Sequence, residues 1–224
     1  MVHLGMSGHF TFLEPGESRR AERAYSRGVP LGQGEHDHVV VHLEGGLRAI
    51  YTDPRRFGVM DLMKTADEAR HKLLRHLGPE PLDDAWDARV LCDALRSRRT
   101  SIKAALLDQK TVVGVGNIYA CEALFRSGIS PRRLAASVAG ARGVTQRATR
   151  LVAAIKAVLS EAIAAGGSSL RDFQAVDGEL GYFSHAFEVY DREDERCVRR
   201  GCDQVVQRIT QAGRSTFFCS SCQR

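Results

Sequence analysis

The last 28 residues of this 224-residue chain hold four of its six cysteines, arranged as two close pairs, Cys197-Val-Arg-Arg-Gly-Cys202 and Cys219-Ser-Ser-Cys222, with 16 residues between them. A tetrahedral zinc ion takes four soft ligands at about 2.3 Å, and two tight knuckles supply them two at a time. Sixteen intervening residues suffice for a short β-hairpin. The C-x4-C and C-x2-C spacing therefore predicts a zinc ribbon over residues 187–224, with Cys197, Cys202, Cys219 and Cys222 as ligands of one structural Zn²⁺. Two disulfides are the competing reading, disfavoured because no secretory signal precedes the chain and cytosolic thiols stay reduced. Cys92 and Cys121 fall in apolar, helix-like stretches and read as small buried hydrophobes.

Outside that module the composition is ordinary for a globular protein, 43% hydrophobic and 26% charged. No run of 18 apolar residues occurs, so no membrane span is expected. Charge is more telling. The formal net charge is +5, and residues 196–224 carry six arginines against one acid, so the rest of the chain sums to zero. Four thiolates and one Zn²⁺ would subtract two and leave the ribbon modestly positive. Arginine suits bidentate phosphate contacts better than lysine does, and a clustered basic module is the footprint of a nucleic-acid binder. The pairs Arg98-Arg99 and Arg132-Arg133, far from the ribbon, show that part of this enrichment is a general preference for arginine.

The chain reads in three segments. Residues 1 to about 62 read as β-structure: Val2–Phe12 as strand–turn–strand around Gly5 and Gly8, then His36–Leu43 and Leu47–Thr52 as strands joined by Glu44-Gly45-Gly46. The polar, Arg/Gly-rich stretch Pro15–Gly34 reads as a loop. From Ala66 the period becomes helical, over Ala66–Leu77, Asp84–Ser97, Ser101–Leu107 and Asn117–Arg126. The clearest helix is Thr145–Ala165, whose apolar stripe Leu151, Val152, Ile155, Val158, Leu159, Ala162 and Ile163 ends at Gly166-Gly167. Gly/Ser-rich loop chemistry follows to about Phe183, then a short strand at Phe187–Tyr190. The order is β, helical, ribbon: an α+β chain and not an alternating βαβ fold.

Five motifs in sequence are similar to those of one family. His3-Leu4-Gly5-Met6-Ser7-Gly8, Asp53-Pro54-Arg55-Arg56-Phe57-Gly58, Leu107-Asp108-Gln109, Gly114-Val115-Gly116-Asn117-Ile118-Tyr119-Ala120 and Gly213-Arg214-Ser215-Thr216 ahead of Cys219-x2-Cys222-Gln223 resemble formamidopyrimidine-DNA glycosylase. The sister branch, endonuclease VIII, does not usually carry the DPRRFG segment. The resemblance implies a base-excision-repair enzyme that removes oxidised purines (formamidopyrimidine, 8-oxoguanine) from double-stranded DNA and cuts the resulting abasic site by β,δ-elimination. It implies a partial N-terminal β-sandwich over 1–64, a helical helix-two-turns-helix domain over 65–186 with a lesion-covering loop at 166–183, and the zinc finger over 187–224. It also implies a monomer in the bacterial cytoplasm, associated with the nucleoid.

The chemistry agrees with the residues. A base turned out of the duplex leaves a hole that something must fill, and wedge residues are apolar with an arginine for the orphaned partner base. Met6, Arg55 and Phe57 match the family's void-filling residues, and Met6 sits in a Gly-flanked turn, as a tip should. Gly114 and Gly116 let backbone N–H groups approach a phosphate, and Asn117 opens a helix whose N-terminus favours anions. Lys103 and Asn117 match phosphate-contacting positions; His36 and the Arg98-Arg99 run match others that reach DNA. Arg214 matches the ribbon arginine that grips phosphates beside the lesion and has a part in δ-elimination.

The family's nucleophile is the secondary amine of an N-terminal proline, which attacks C1′ and forms an iminium, beside a glutamate acting as general acid–base. The prolines here, at 15, 30, 54, 79, 81 and 131, are all internal, and Met1-Val2 stands directly before HLGMSG. Two expectations follow: a start site upstream of Met1 in an active complete protein, or a non-catalytic, zinc-dependent binder of damaged or abasic DNA. The first is preferred, because wedge, loop and ribbon serve the pocket they complete, and half a β-sandwich leaves an unpaired edge and an exposed apolar face.

Overall fold

A computed structural model describes residues 1–16, 36–167 and 186–224. Most of the expected loop at Pro15–Gly34, and all of the lesion-covering loop beyond Gly167, lie outside the described residues. These fall into two compact units, Met1–Asp67 and Glu68–Gly167 together with the C-terminal residues.

In the first unit, β2 (His9–Leu13), β3 (Asp37–His42) and β4 (Arg48–Thr52) form an antiparallel sheet of order β2-β4-β3, and β1 (Val2–His3) pairs with β5 (Val59–Met60). The β3–β4 connection is the expected Glu44-Gly45-Gly46 turn, where both glycines take positive φ. β4 is the central strand and the most buried, with Phe10 of β2 packed on Tyr51 at 5.3 Å between ring centroids. At the edge, Val39, Val40 and Val41 of β3 stay partly exposed.

The second unit holds α1 (Ala88–Leu95), α2 (Ile102–Leu107), α3 (Asn117–Ser127), α4 (Ala135–Ala139), α5 (Gln146–Ala164) and the hairpin β6 (Gln207–Gln211)–β7 (Arg214–Phe218). The helix starts follow from capping chemistry. Asp87 accepts from the N–H groups of Arg89 and Val90, Ser101 from Ala104, and Thr145 from Ala148. One apolar core gathers Trp86, Leu91, Leu95, Ile102, Leu106, Leu124, Leu151, Ile155 and Val158. A second joins α3 to the ribbon through Cys121, Phe125, Val189, Val206 and Phe217.

Three local expectations are corrected. Ala66–Leu77 is not an α-helix but a 3-10 turn (Thr65–Arg70) followed by turns. Leu73 and Leu77 remain 43% and 48% exposed, and a short helix that buries no face lacks its main source of stability. The helix expected at Asp84–Ser97 is confined to eight residues by the Asp87 cap. Phe187–Tyr190 is not a strand. The consecutive N–H groups of Glu188, Val189 and Tyr190 converge on the buried Glu122 carboxylate at 2.9, 3.0 and 2.8 Å, whereas strand N–H groups alternate in direction.

Candidate nucleic-acid interface

In the first unit two turns stand side by side, residues 4–8 after β1 and 53–58 before β5. Gly5 takes φ +70°, and a Cβ there would lie 2.7 Å from the Phe57 carbonyl carbon, so only glycine allows the turns to approach. Gly58 packs as closely on the Tyr51 hydroxyl. The tips are Met6 and Phe57, 55% and 56% exposed, with the Arg55 guanidinium 5.1 Å from the Phe57 ring centroid.

Beneath the tips lies Asp53, with 1% of its surface exposed. One carboxylate oxygen accepts from Ser7 Oγ at 2.7 Å; the other accepts from the Gly58 N–H at 2.8 Å and from Tyr51 Oη at 3.3 Å. Ser7 Oγ in turn accepts from the Arg55 N–H at 3.2 Å. The Asp53 carbonyl accepts from the Arg56 N–H at 3.2 Å and from His38 Nε2 at 2.9 Å, and its own N–H donates to the His36 carbonyl at 2.9 Å. Burial pushes the carboxyl up, but the hydrogen bonds from Ser7, Gly58, Tyr51 and Arg55 outweigh it and hold it below the usual carboxylate range. The His36 ring is half-buried, and its Nδ1 has no partner among the described residues.

In the second unit the Gly114–Gly116 turn leads into α3. Gly116, not Asn117, is the cap residue, and the Asn117 amide is used elsewhere: Nδ2 donates to the Ser215 carbonyl at 3.0 Å. Lys103 Nζ donates to the same carbonyl at 3.0 Å and to Thr216 Oγ1 at 2.6 Å. The expectation of a phosphate contact by Lys103 therefore needs revision. Its side chain has no exposed surface, and its ammonium pairs with no acid among the described residues. Burial lowers its pKa; Cys121 opposes the shift and the Arg214 charge adds to it.

Arg214 is exposed at the start of β7, next to the doubly held Ser215 carbonyl. Ala212 and Gly213 both take positive φ, the two-residue turn that suits a right-twisted hairpin. Arg98 is not a free cation but pairs with Asp108 at 2.5 Å. That guanidinium, more than any other influence, holds the Asp108 carboxyl below its usual range. Other ribbon arginines serve the fold. Arg199 donates to the Phe125 and Arg126 carbonyls at the end of α3 and lies 4.9 Å from the Phe125 ring centroid, while Arg208 pairs with Glu193.

The four C-terminal cysteines converge, with all their sulfurs within 4.8 Å of one another. The separations Cys197–Cys222 and Cys202–Cys219 are 3.8 and 3.7 Å. A disulfide needs about 2.05 Å, whereas ligands 2.3 Å from a tetrahedral metal are about 3.8 Å apart. The donor set therefore fits a four-thiolate metal site. Gln223 ties the second knuckle to the helices: its Oε1 accepts from the Cys219 N–H at 2.9 Å and its Nε2 donates to the Ile129 carbonyl at 3.0 Å.

Asp53 and Glu122 act as hubs that the motifs alone did not single out. Asp53 carries the turn signal of an Asp-Pro pair, and Glu122 is the one acid among the mostly apolar buried residues of its helix, but their partners are remote in sequence. Among the described residues no helix is long and apolar enough to cross a membrane.

A family profile described as the formamidopyrimidine-DNA glycosylase N-terminal domain matches residues 1–60, and one described as the formamidopyrimidine-DNA glycosylase H2TH domain matches residues 77–174. The chain is similar to the formamidopyrimidine-DNA glycosylase of Ruegeria pomeroyi, at 53% identity over 232 residues that cover 100% of this chain and 75% of the relative. Its counterpart from Azorhizobium caulinodans is 54% identical over 232 residues, covering 100% and 76%. Among solved structures, the MutM (Fpg) protein of Thermus thermophilus shares 38% identity at TM-score 0.79, covering 99% of this chain and 74% of that one. A Lactococcus lactis Fpg mutant in complex with Fapy-dG-containing DNA shares 30% identity at TM-score 0.80, covering 100% and 74%.

Proposed function

The chain belongs to the formamidopyrimidine-DNA glycosylase family, and from that premise we propose that it is a base-excision-repair DNA glycosylase and AP lyase. It removes oxidised purines from duplex DNA and cleaves the abasic site by β,δ-elimination. The observation that carries this reading is the pair of pinned turns that hold two large apolar side chains, Met6 and Phe57, out in solvent beside Arg55. Exposed apolar tips on a fixed base are what filling a vacated base stack requires.

Each remaining side chain takes a role from its surroundings. Arg214 is exposed and grips phosphate beside the lesion, and Asn117 and the N-terminus of α3 face the backbone next to it. His36 brings a ring nitrogen without a partner among the described residues. Arg98 exchanges Asp108 for phosphate at little cost, because a part-exposed ion pair contributes no more than about 1 kcal/mol. Lys103 acts by holding the hairpin that bears Arg214, not by its own phosphate contact. The four thiolates hold zinc, which supplies folding energy to the ribbon and no reaction step. The described residues named here account for recognition and grip.

Borohydride trapping on a duplex containing 8-oxoguanine tests the reading, with protein expressed from the complete reading frame that encodes this chain. A covalent protein–DNA species and release of the damaged base are expected. Binding of the lesion duplex with no trapped species and no cleavage would overturn it in favour of a non-catalytic binder.

A further inference from the structure

We propose that Asp53 is a positioning residue that makes the three void-filling side chains a single rigid wedge, so that Met6, Arg55 and Phe57 enter the duplex together. The proposal rests on the functional reading above and adds to it a residue that touches no DNA.

The hydrogen bonds joining the two turns run through one short relay. Asp53 accepts from Ser7 Oγ, and Ser7 Oγ accepts from the Arg55 N–H. The turn carrying Met6 is thereby tied to the one carrying Arg55 and Phe57. The second carboxylate oxygen takes the Gly58 N–H, which sets the backbone just after Phe57. The Asp53 carbonyl takes the Arg56 N–H and His38 Nε2, so the tips are referenced to the edge of the sheet. Arg56 sits at φ +55°, a conformation a side-chain-bearing residue holds only when its surroundings impose it.

A wedge needs such a device. Its apolar tips face water before insertion, so it cannot gain rigidity from burying them, and loosely held tips would lose conformational freedom at the moment of insertion. A polar relay beneath the tips removes that cost beforehand.

Asparagine cannot replace the carboxylate. If its amide NH₂ faces Ser7, the serine hydroxyl loses its acceptor; if it faces Gly58, a donor meets a donor. Ser7→Ala cuts the relay between the turns and leaves the Gly58 and Tyr51 bonds in place. Ser7→Thr keeps the hydroxyl.

The test is rapid mixing of the complete protein with a lesion duplex carrying 2-aminopurine beside the damaged base, with thermal melts of every variant. Insertion by Asp53→Asn and Ser7→Ala should be about tenfold slower than wild type, the loss expected for one such hydrogen bond. Ser7→Thr should insert near the wild-type rate, and the KM for lesion duplex should change less than kcat. In wild type, the effects of Met6→Ala and Phe57→Ala on the insertion rate should be non-additive, and in the Ser7→Ala background additive. Wild-type insertion rates in Ser7→Ala and Asp53→Asn would overturn the positioning role and leave the functional reading standing. If Asp53→Asn fails to fold, Ser7→Ala decides alone. A wild-type protein that neither inserts nor excises overturns the functional reading, and this role with it.

Discussion

The turns that carry Met6 and Phe57 and the hairpin that carries Arg214 are held by opposite means. Under Met6, Arg55 and Phe57 stands a carboxylate whose oxygens are all engaged by hydrogen bonds. Under Arg214 stands an apolar cluster of Phe125, Val206 and Phe217, extended by four converging cysteines and a buried lysine. The difference follows from what each region presents. The proposed wedge displays Met6 and Phe57 in solvent and cannot be fixed by burying them, so polar bonds fix it instead. The hairpin displays a cation, Arg214, the proposed phosphate grip, and its apolar residues are free to build a base. Rigidity at the two places therefore depends on different solution conditions.

The largest test of that contrast is the metal. Cys219→Ser removes one ligand, and because binding of a structural zinc is worth on the order of 10 kcal/mol of folding energy, the ribbon should unfold. Zinc content should fall to background and gel-shift affinity for an abasic-site duplex should collapse. A variant that keeps both would refute the four-thiolate assignment.

A smaller effect is expected at Lys103. Replacing a buried charge by an apolar side chain of similar length is often neutral or stabilising, so Lys103→Met should melt within about 1 kcal/mol of wild type. The hairpin nevertheless loses one of the two groups on the Ser215 carbonyl, and DNA affinity should drop about tenfold. Loss of stability in parallel with affinity would instead mark Lys103 as a plain structural residue.

The smallest expected effect is a dependence on pH: stability rises with pH in both regions, but in separate windows, acid for Asp53 and alkaline for Lys103. Asp53 has a lower pKa folded than unfolded, so its contribution is complete above the unfolded value near 3.9 and disappears as pH falls through the lower folded value. Lys103 is also lowered, but for a cation this is a penalty, relieved as pH rises toward the ordinary lysine value near 10.4. Melts of wild type and Asp53→Asn between pH 7 and 3 should differ at neutral pH and converge below pH 4. A constant gap would show that the Asp53 carboxylate charge is not what holds the turns.

Much of the local structure was legible in the residues. The Asp87, Ser101 and Thr145 caps, the Gly45-Gly46 turn, the α5 stripe ending at Gly166-Gly167 and the ribbon hairpin all express chemistry acting over a few positions. The same reasoning overreached at Ala66–Leu77, where helical spacing exists without a surface to pack on, and at Phe187–Tyr190, where a buried carboxylate outcompeted strand geometry. In the site, the exposed tips Met6 and Phe57 and the four cysteines stood out from motif and spacing. Lys103 misled, because a lysine in a basic chain reads as a surface cation until its burial is known.

By itself the sequence determined the order of the three segments, the converging cysteines and the family, since each is encoded by period, spacing or a contiguous motif. Only the tertiary structure decided which polar groups meet. Ser7 reaches Asp53 across 46 residues, Glu122 caps Val189 across 67, and Lys103 finds Ser215 across 112. A buried polar atom must bond to whatever donor or acceptor the packed chain brings beside it, and no local pattern encodes which one that is.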